Sequence, residues 1–142
     1  MAGILVASGQ TFVIDTMKYY IDNISNGLYV GLMTNSTLPN EGSQIGTGIT
    51  ELSCIGYARI HQSSWGSTAG IDPVLSGATV AFTVSGVWED VNGYFVSLTS
   101  GKTGNADVLW AEVFPVGKRG DKNNGDKILI TPIYEQRYYG EV

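Results

Sequence analysis

Ala78-Thr79-Val80-Ala81-Phe82-Thr83-Val84 alternates large apolar residues with small or polar ones. A period of two belongs to a strand with one buried face, here Val80, Phe82 and Val84. Upstream, Leu28-Tyr29-Val30-Gly31-Leu32-Met33-Thr34 is apolar on both faces, as in a strand held between two layers. Further strands are expected over 55–61, 92–99, 107–114 and 127–135, with a short one near 72–75. Pro132 offers no ladder donor, so its strand is expected at an edge or with a bulge. Ser85-Gly86, Ser100-Gly101, Gly104-Asn105 and Asn123-Asn124-Gly125-Asp126 punctuate these runs as turns. The expected fold is mainly β, a β-sandwich over about 28–135 of six to eight mostly antiparallel strands.

One helix is expected before the sandwich, over about 11–25. Val13, Ile14, Met17, Tyr20, Ile21 and Ile24 recur at three- and four-residue steps and form one stripe. Ser8 or Thr11 is the expected cap, and Asn26-Gly27 the stop. Between the first two strands, 35–53 is polar and glycine-rich, with Leu38, Ile45, Ile49 and Leu52 as its apolar members. So long a connection inside a compact domain is expected to be functional or mobile. With 142 residues the chain fits one domain, ending in a tail, 136–142.

The formal net charge of −5, with only eight Lys and Arg, argues against a nucleic-acid backbone or an anionic membrane as partner. A single cysteine, Cys54, excludes an internal disulfide and a multi-thiolate zinc site. No apolar run approaches the ~20 residues of a membrane helix. The apolar start, Met1 to Ala7, lacks the basic residues of a signal peptide, so synthesis in a cytoplasm is expected.

Motifs that carry chemistry fail on spacing. Gly101-Lys102-Thr103 lacks the earlier glycine of a phosphate loop, since that position is Val96. Arg119-Gly120-Asp121 reads as a solvated hairpin tip. Asp121, Asn123 and Asp126 offer oxygens, but a helix-loop-helix calcium site would need Gly and Glu where Asp126 and Pro132 stand. His61 lies near Ser63 and Ser64 without a strained nucleophile turn. Glu112, with Glu89 and Asp90, is a formal carboxylate set for sugar cleavage, yet pairing of Glu112 with an arginine such as Arg59 is the plainer reading. Asn23-Ile24-Ser25 and Asn35-Ser36-Thr37 match the glycosylation pattern and, with no secretion signal, read as unmodified. No catalytic, metal or cofactor residue is assigned, so a structural or binding part is expected rather than an enzyme. Trp65 and Trp88 read as core residues. Tyr138 and Tyr139 in the tail are the expected interface anchors, with Leu38, Ile45 and Ile49 from the long connection.

Leu28-Tyr29-Val30-Gly31-Leu32 with Thr34-Asn35, Gly56-Tyr57-Ala58-Arg59 with Trp65, Asn92-Gly93-Tyr94-Phe95-Val96, Leu109-Trp110-Ala111-Glu112 with Phe114, and Ile130-Thr131-Pro132 form an ordered series. It resembles small virion proteins of tailed bacteriophages, of the kind that decorate or cement the capsid exterior, over about residues 4–135. The loop 116–127 looks longer than the usual short turn of that pattern, and the tail 136–142 looks like an addition to it. The resemblance implies no catalytic residue and no cofactor. It implies a major capsid protein as partner, a homotrimer, and a place on the virion surface. The alternative is a tail or fibre component that binds a host surface glycan.

Overall fold

The computed structural model describes residues 7–23, 28–40, 42–70, 73–101 and 108–135. It is mainly β with one N-terminal helix, a sandwich-like arrangement of several antiparallel sheets. In chain order the elements are α1 (Ala7–Asn23), β1 (Leu28–Met33), β2 (Gln44–Ile45), β3 (Gly48–Ile49), β4 (Ile60–Gln62), β5 (Trp65–Ser67), β6 (Val74–Gly77) and β7 (Val80–Thr83). There follow β8 (Trp88–Val91), β9 (Gly93–Ser97), β10 (Val108–Val113), a 3₁₀ turn (Val116–Lys118), β11 (Gly120–Lys122), β12 (Lys127–Ile130) and β13 (Ile133–Glu135).

These strands outnumber the expected six to eight because one expected run is cut in two and short strands, β2, β3, β5, β8 and β11, form where none was expected. Pro132 divides the last run: β12 pairs with β7, while β13 pairs with β6. The Pro132 carbonyl accepts the Gly77 N–H, so the break is itself stitched to the sheet. Asn92 divides β8 from β9, sending its own N–H to the Met33 carbonyl. The run expected over 55–61 shortens to β4, because Gly56 adopts a left-handed φ of +81° and the chain leaves the sheet there.

The largest sheet runs β10-β9-β1-β4, antiparallel throughout. Both its faces are used. Leu28, Val30, Leu32, Tyr94 and Val96 join the main core, with Leu75, Val80, Phe82, Val84, Trp88, Ile128 and Ile130 from the opposing strands. Helix α1 closes one end of that core with Ile14 and Ile21. On the other face, Met33 and Phe95 meet Ile49 from the long connection. Gly31 is obligatory at this second layer: a Cβ there would lie 2.2 Å from Cζ of Phe95.

Strands β7 and β8 together face β12 and β11 as one bent ribbon. Phe82 opposes Ile128 and Trp88 opposes Lys122, six residues further along each strand, so the register continues across the bend. The bend is closed by Val84 N–H to the Asp126 carbonyl and by Gly86 N–H to Asn124 Oδ1. Asp90 takes a left-handed φ of +54° where the register shifts, and Asp121 Oδ1 accepts its N–H.

The expected helix stripe is corrected in two places. Ile14 and Ile21 are buried and Met17 packs on the core, but Tyr20 points outwards. Ser8 and Thr11 lie inside the helix and do not cap it; the Thr11 hydroxyl instead accepts the Gly70 N–H at 3.0 Å. Ile24, Asn26, Gly27, Lys102 to Asp107 and the tail fall outside the described residues.

Candidate functional site

The most developed polar constellation lies where β1 changes neighbour. Its first half pairs with β4; beyond Val30 the partner becomes the segment around Glu51, with Leu52 N–H bound to the Leu32 carbonyl. At the changeover the Leu32 N–H has no strand opposite, and the Tyr57 hydroxyl accepts it at 2.9 Å. The same hydroxyl donates to Glu51 Oε1 at 2.9 Å. Arg59 grips both oxygens of Glu51, Nε to Oε1 at 2.9 Å and Nη2 to Oε2 at 2.8 Å. Its Nη1 donates to Ser97 Oγ and to the Thr99 carbonyl, and its guanidinium lies 5.0 Å from the centre of the Phe95 ring. The Arg59 and Glu51 side chains are 1% and 5% exposed, so this is a closed ion pair with its hydrogen bonds satisfied. Burial, followed by the neighbouring Glu51 carboxylate, pushes the Tyr57 hydroxyl far above its ordinary range.

A second tyrosine repeats the pattern in a more open form. The Tyr94 hydroxyl donates to Glu112 Oε2 at 2.8 Å and accepts the Ile133 N–H at 3.3 Å. Burial raises Tyr94 to about 12. Trp110 sits between Trp65 and Tyr134, with ring centres 5.8 and 5.6 Å away. Its buried indole N–H has no hydrogen-bond partner among the described residues.

The expected pairing of Glu112 with Arg59 is therefore corrected: Glu51 is the partner of Arg59, and a tyrosine that of Glu112. Glu51 was missed because a single Glu in a polar connection has no pattern to mark it. Arg119-Gly120-Asp121 is not a hairpin tip: its last two residues open β11, Asp121 is spent on Asp90, and Arg119 Nε donates to the Phe114 carbonyl. Asp126 accepts the Asn123 N–H as a turn residue. Among the described residues no three His, Cys, Asp or Glu side chains converge to hold a metal ion. The His61 ring lies against Tyr29, its cross-strand neighbour, at 5.2 Å. Trp65 and Trp88 belong to the core.

The expected contact residues separate. Leu38 is exposed and Ile45 is half-buried against the second core cluster. Ile49 is only 2% exposed and presents no surface, because it covers Phe95 and Met33. The long connection is pinned rather than loose: Asn35 bonds the Gly48 carbonyl and the Thr50 N–H. Tyr138 and Tyr139 lie outside the described residues.

Exposed large apolar side chains are scattered over the described residues, but the exposed aromatic rings among them all lie on α1. Phe12 and Tyr19 are 71% and 66% exposed, and Tyr20 beside them is also outward. Phe12 and Tyr19 are two turns apart and share a face, about 200° round the helix from Ile14. The helix is fixed from behind by Thr11 to Gly70 and by Ser67 Oγ to Asp15 Oδ1 at 3.3 Å. Among the described residues no helix is long and apolar enough to cross a membrane.

No protein-family model matches this chain, and no curated protein or solved structure matches it at a significant level.

Proposed function

We propose that this chain is a structural virion protein of the capsid decoration or cement type, which binds the outside of a tailed-phage head as a homotrimer and makes no or breaks no covalent bond. The supporting observation is the outward face of α1. Aromatic side chains such as Phe12 and Tyr19 supply much of the energy of protein contacts when a partner takes them out of water. A helix whose inner face is already committed to the core offers them on a rigid support. The ordered residue series that resembles decoration proteins adds the kind of assembly, and exposed Leu38 extends the contact set. A particle surface presents many equivalent positions, so modest contacts per copy add through multivalency.

The test is a binding assay on purified capsids of the phage that encodes the chain. The paired substitution Phe12→Ser and Tyr19→Ser is expected to weaken capsid binding at least tenfold while leaving the melting temperature unchanged. Undiminished capsid binding by this variant would overturn the assignment of the helix face. Sedimentation equilibrium of the free chain, expected to give a trimer, checks the oligomer separately.

A further inference from the structure

A second surface, on the far ribbon, has different chemistry. Strand β12 pairs with β7 on one side, and among the described residues no strand pairs with its other side. Ladder bonds alternate along an antiparallel pair. Since Val84 N–H bonds the Asp126 carbonyl, the bonded pairs that follow are Phe82 with Ile128 and Val80 with Ile130. Lys127 and Leu129 therefore turn their backbone N–H and C=O away from β7. That side is not flat solvent. It borders a cavity of about 540 Å³ whose facing wall is Phe114, Pro115, Lys118 and Lys122.

The composition of this groove is unlike the rest of the chain. In a molecule of net charge −5 with eight Lys and Arg, three lysines, 118, 122 and 127, line one cavity. The single acid lining it, Asp126, is already engaged with the Asn123 N–H. Leu129 stands 65% exposed at its edge. A free strand edge binds an extended peptide through main-chain bonds, and the flanking side chains choose which one. Four residues of an extended strand span about 13 Å, a length that β12 matches. A second copy offering the same edge would bring its own three lysines to the same rim, where like charges repel.

We propose that the open edge of β12 accepts an extended acidic segment of another protein as an added strand. The incoming main chain bonds Lys127 and Leu129, its carboxylates lie on the outer face beside Lys127 and meet Lys118 and Lys122, and its alternate apolar side chains turn to the other face, beside Ile128 and Ile130 and against Phe114. This goes beyond the decoration role and holds whatever assembly the chain joins.

The probe is an acetylated, amidated heptapeptide alternating Glu or Asp with Val, titrated to millimolar concentration into the full chain at low salt. Nuclear magnetic resonance follows the Lys127 and Leu129 amides and their hydrogen exchange. Binding is expected to protect both amides at least tenfold. N-methylation of the peptide backbone and the double substitution Lys118→Glu with Lys127→Glu are each expected to weaken it at least tenfold. The side chains of these two lysines donate to no described group, so the variant keeps the fold, checked by its melting curve. Failure of the peptide to bind would overturn the proposal, and so would binding that tolerates N-methylation, since charge alone then suffices. Protection of the two amides already in the free chain, lost on deleting residues 136–142, would mean that the chain's own end fills the groove, and would equally overturn it.

Discussion

Tyr57 and Tyr94 are placed alike and held differently. Each accepts a backbone N–H where a strand lacks a partner, Leu32 for one and Ile133 for the other, and each donates to a glutamate. Behind Tyr57, the glutamate is locked by a two-pronged arginine whose remaining donors are also bound. Behind Tyr94, Glu112 is exposed and has no cation partner among the described residues. The first site is a closed node that fixes the sheet's change of neighbour. The second leaves its carboxylate wet. Burying an ion pair costs desolvation that Coulomb attraction offsets only when every hydrogen bond is made, so the closed node is the more fragile to a single cut.

The largest effect should come from breaking the node at its cation. Arg59→Ala leaves Glu51 buried without a counter-charge and is expected to cost about 3–5 kcal/mol in a urea unfolding curve. Tyr57→Phe orphans the Leu32 N–H and one bond to Glu51, and should cost about 1–3 kcal/mol in the same assay. Tyr94→Phe removes the equivalent pair of bonds at the open site, where water reaches Glu112, and should cost about 1 kcal/mol. Equal costs for the two tyrosines would show that the arginine adds nothing to the closed site.

Alkali sharpens the same comparison. An unfolded tyrosine ionises near its ordinary pKa of about 10. Tyr94 is raised to about 12 in the fold, and Tyr57 is raised further. Between those values the unfolded chain has lost protons that the folded chain keeps, so stability falls as pH rises. Their contribution is complete below about pH 10 and declines above it. Ultraviolet titration of the parent chain beside the Tyr57→Phe variant should show Tyr57 ionising only as the chain unfolds. Ionisation of Tyr57 near the ordinary tyrosine value of about 10, in a chain that stays folded, would contradict the closed node.

The same contrast explains what the sequence made legible. Clean alternation over 78–84 placed β7, and the doubly apolar run from Leu28 placed β1 between two layers, because burial dictates residue type directly. Pro132 announced a break, though not that the two halves join different sheets. The run 55–61 misled because apolar residues and Tyr57 look like strand material, whereas Gly56 takes the chain out of the sheet and Ile55 into solvent. Tyr20 misled because a helical stripe wider than its partner surface leaves one margin outside. Ile49 was indistinguishable from Leu38 as one apolar residue in a polar connection, yet it covers Phe95 while Leu38 is exposed.

Much of the residue series behind the phage-protein resemblance maps onto the frame. Gly31 admits Phe95, Tyr57 caps Leu32, and Arg59 holds Glu51. Phe12, Tyr19 and the three groove lysines are not in that series. That series therefore describes the internal frame, and the surfaces have to be argued from exposure and charge.

The measurement that bears most directly on the decoration reading is cryo-microscopy of the particle that carries this chain. The account predicts many copies at symmetry-equivalent positions on the outside of the head, with Phe12 and Tyr19 buried against the shell. A few copies confined to the tail, or that helix face left in solvent on every copy, would contradict it.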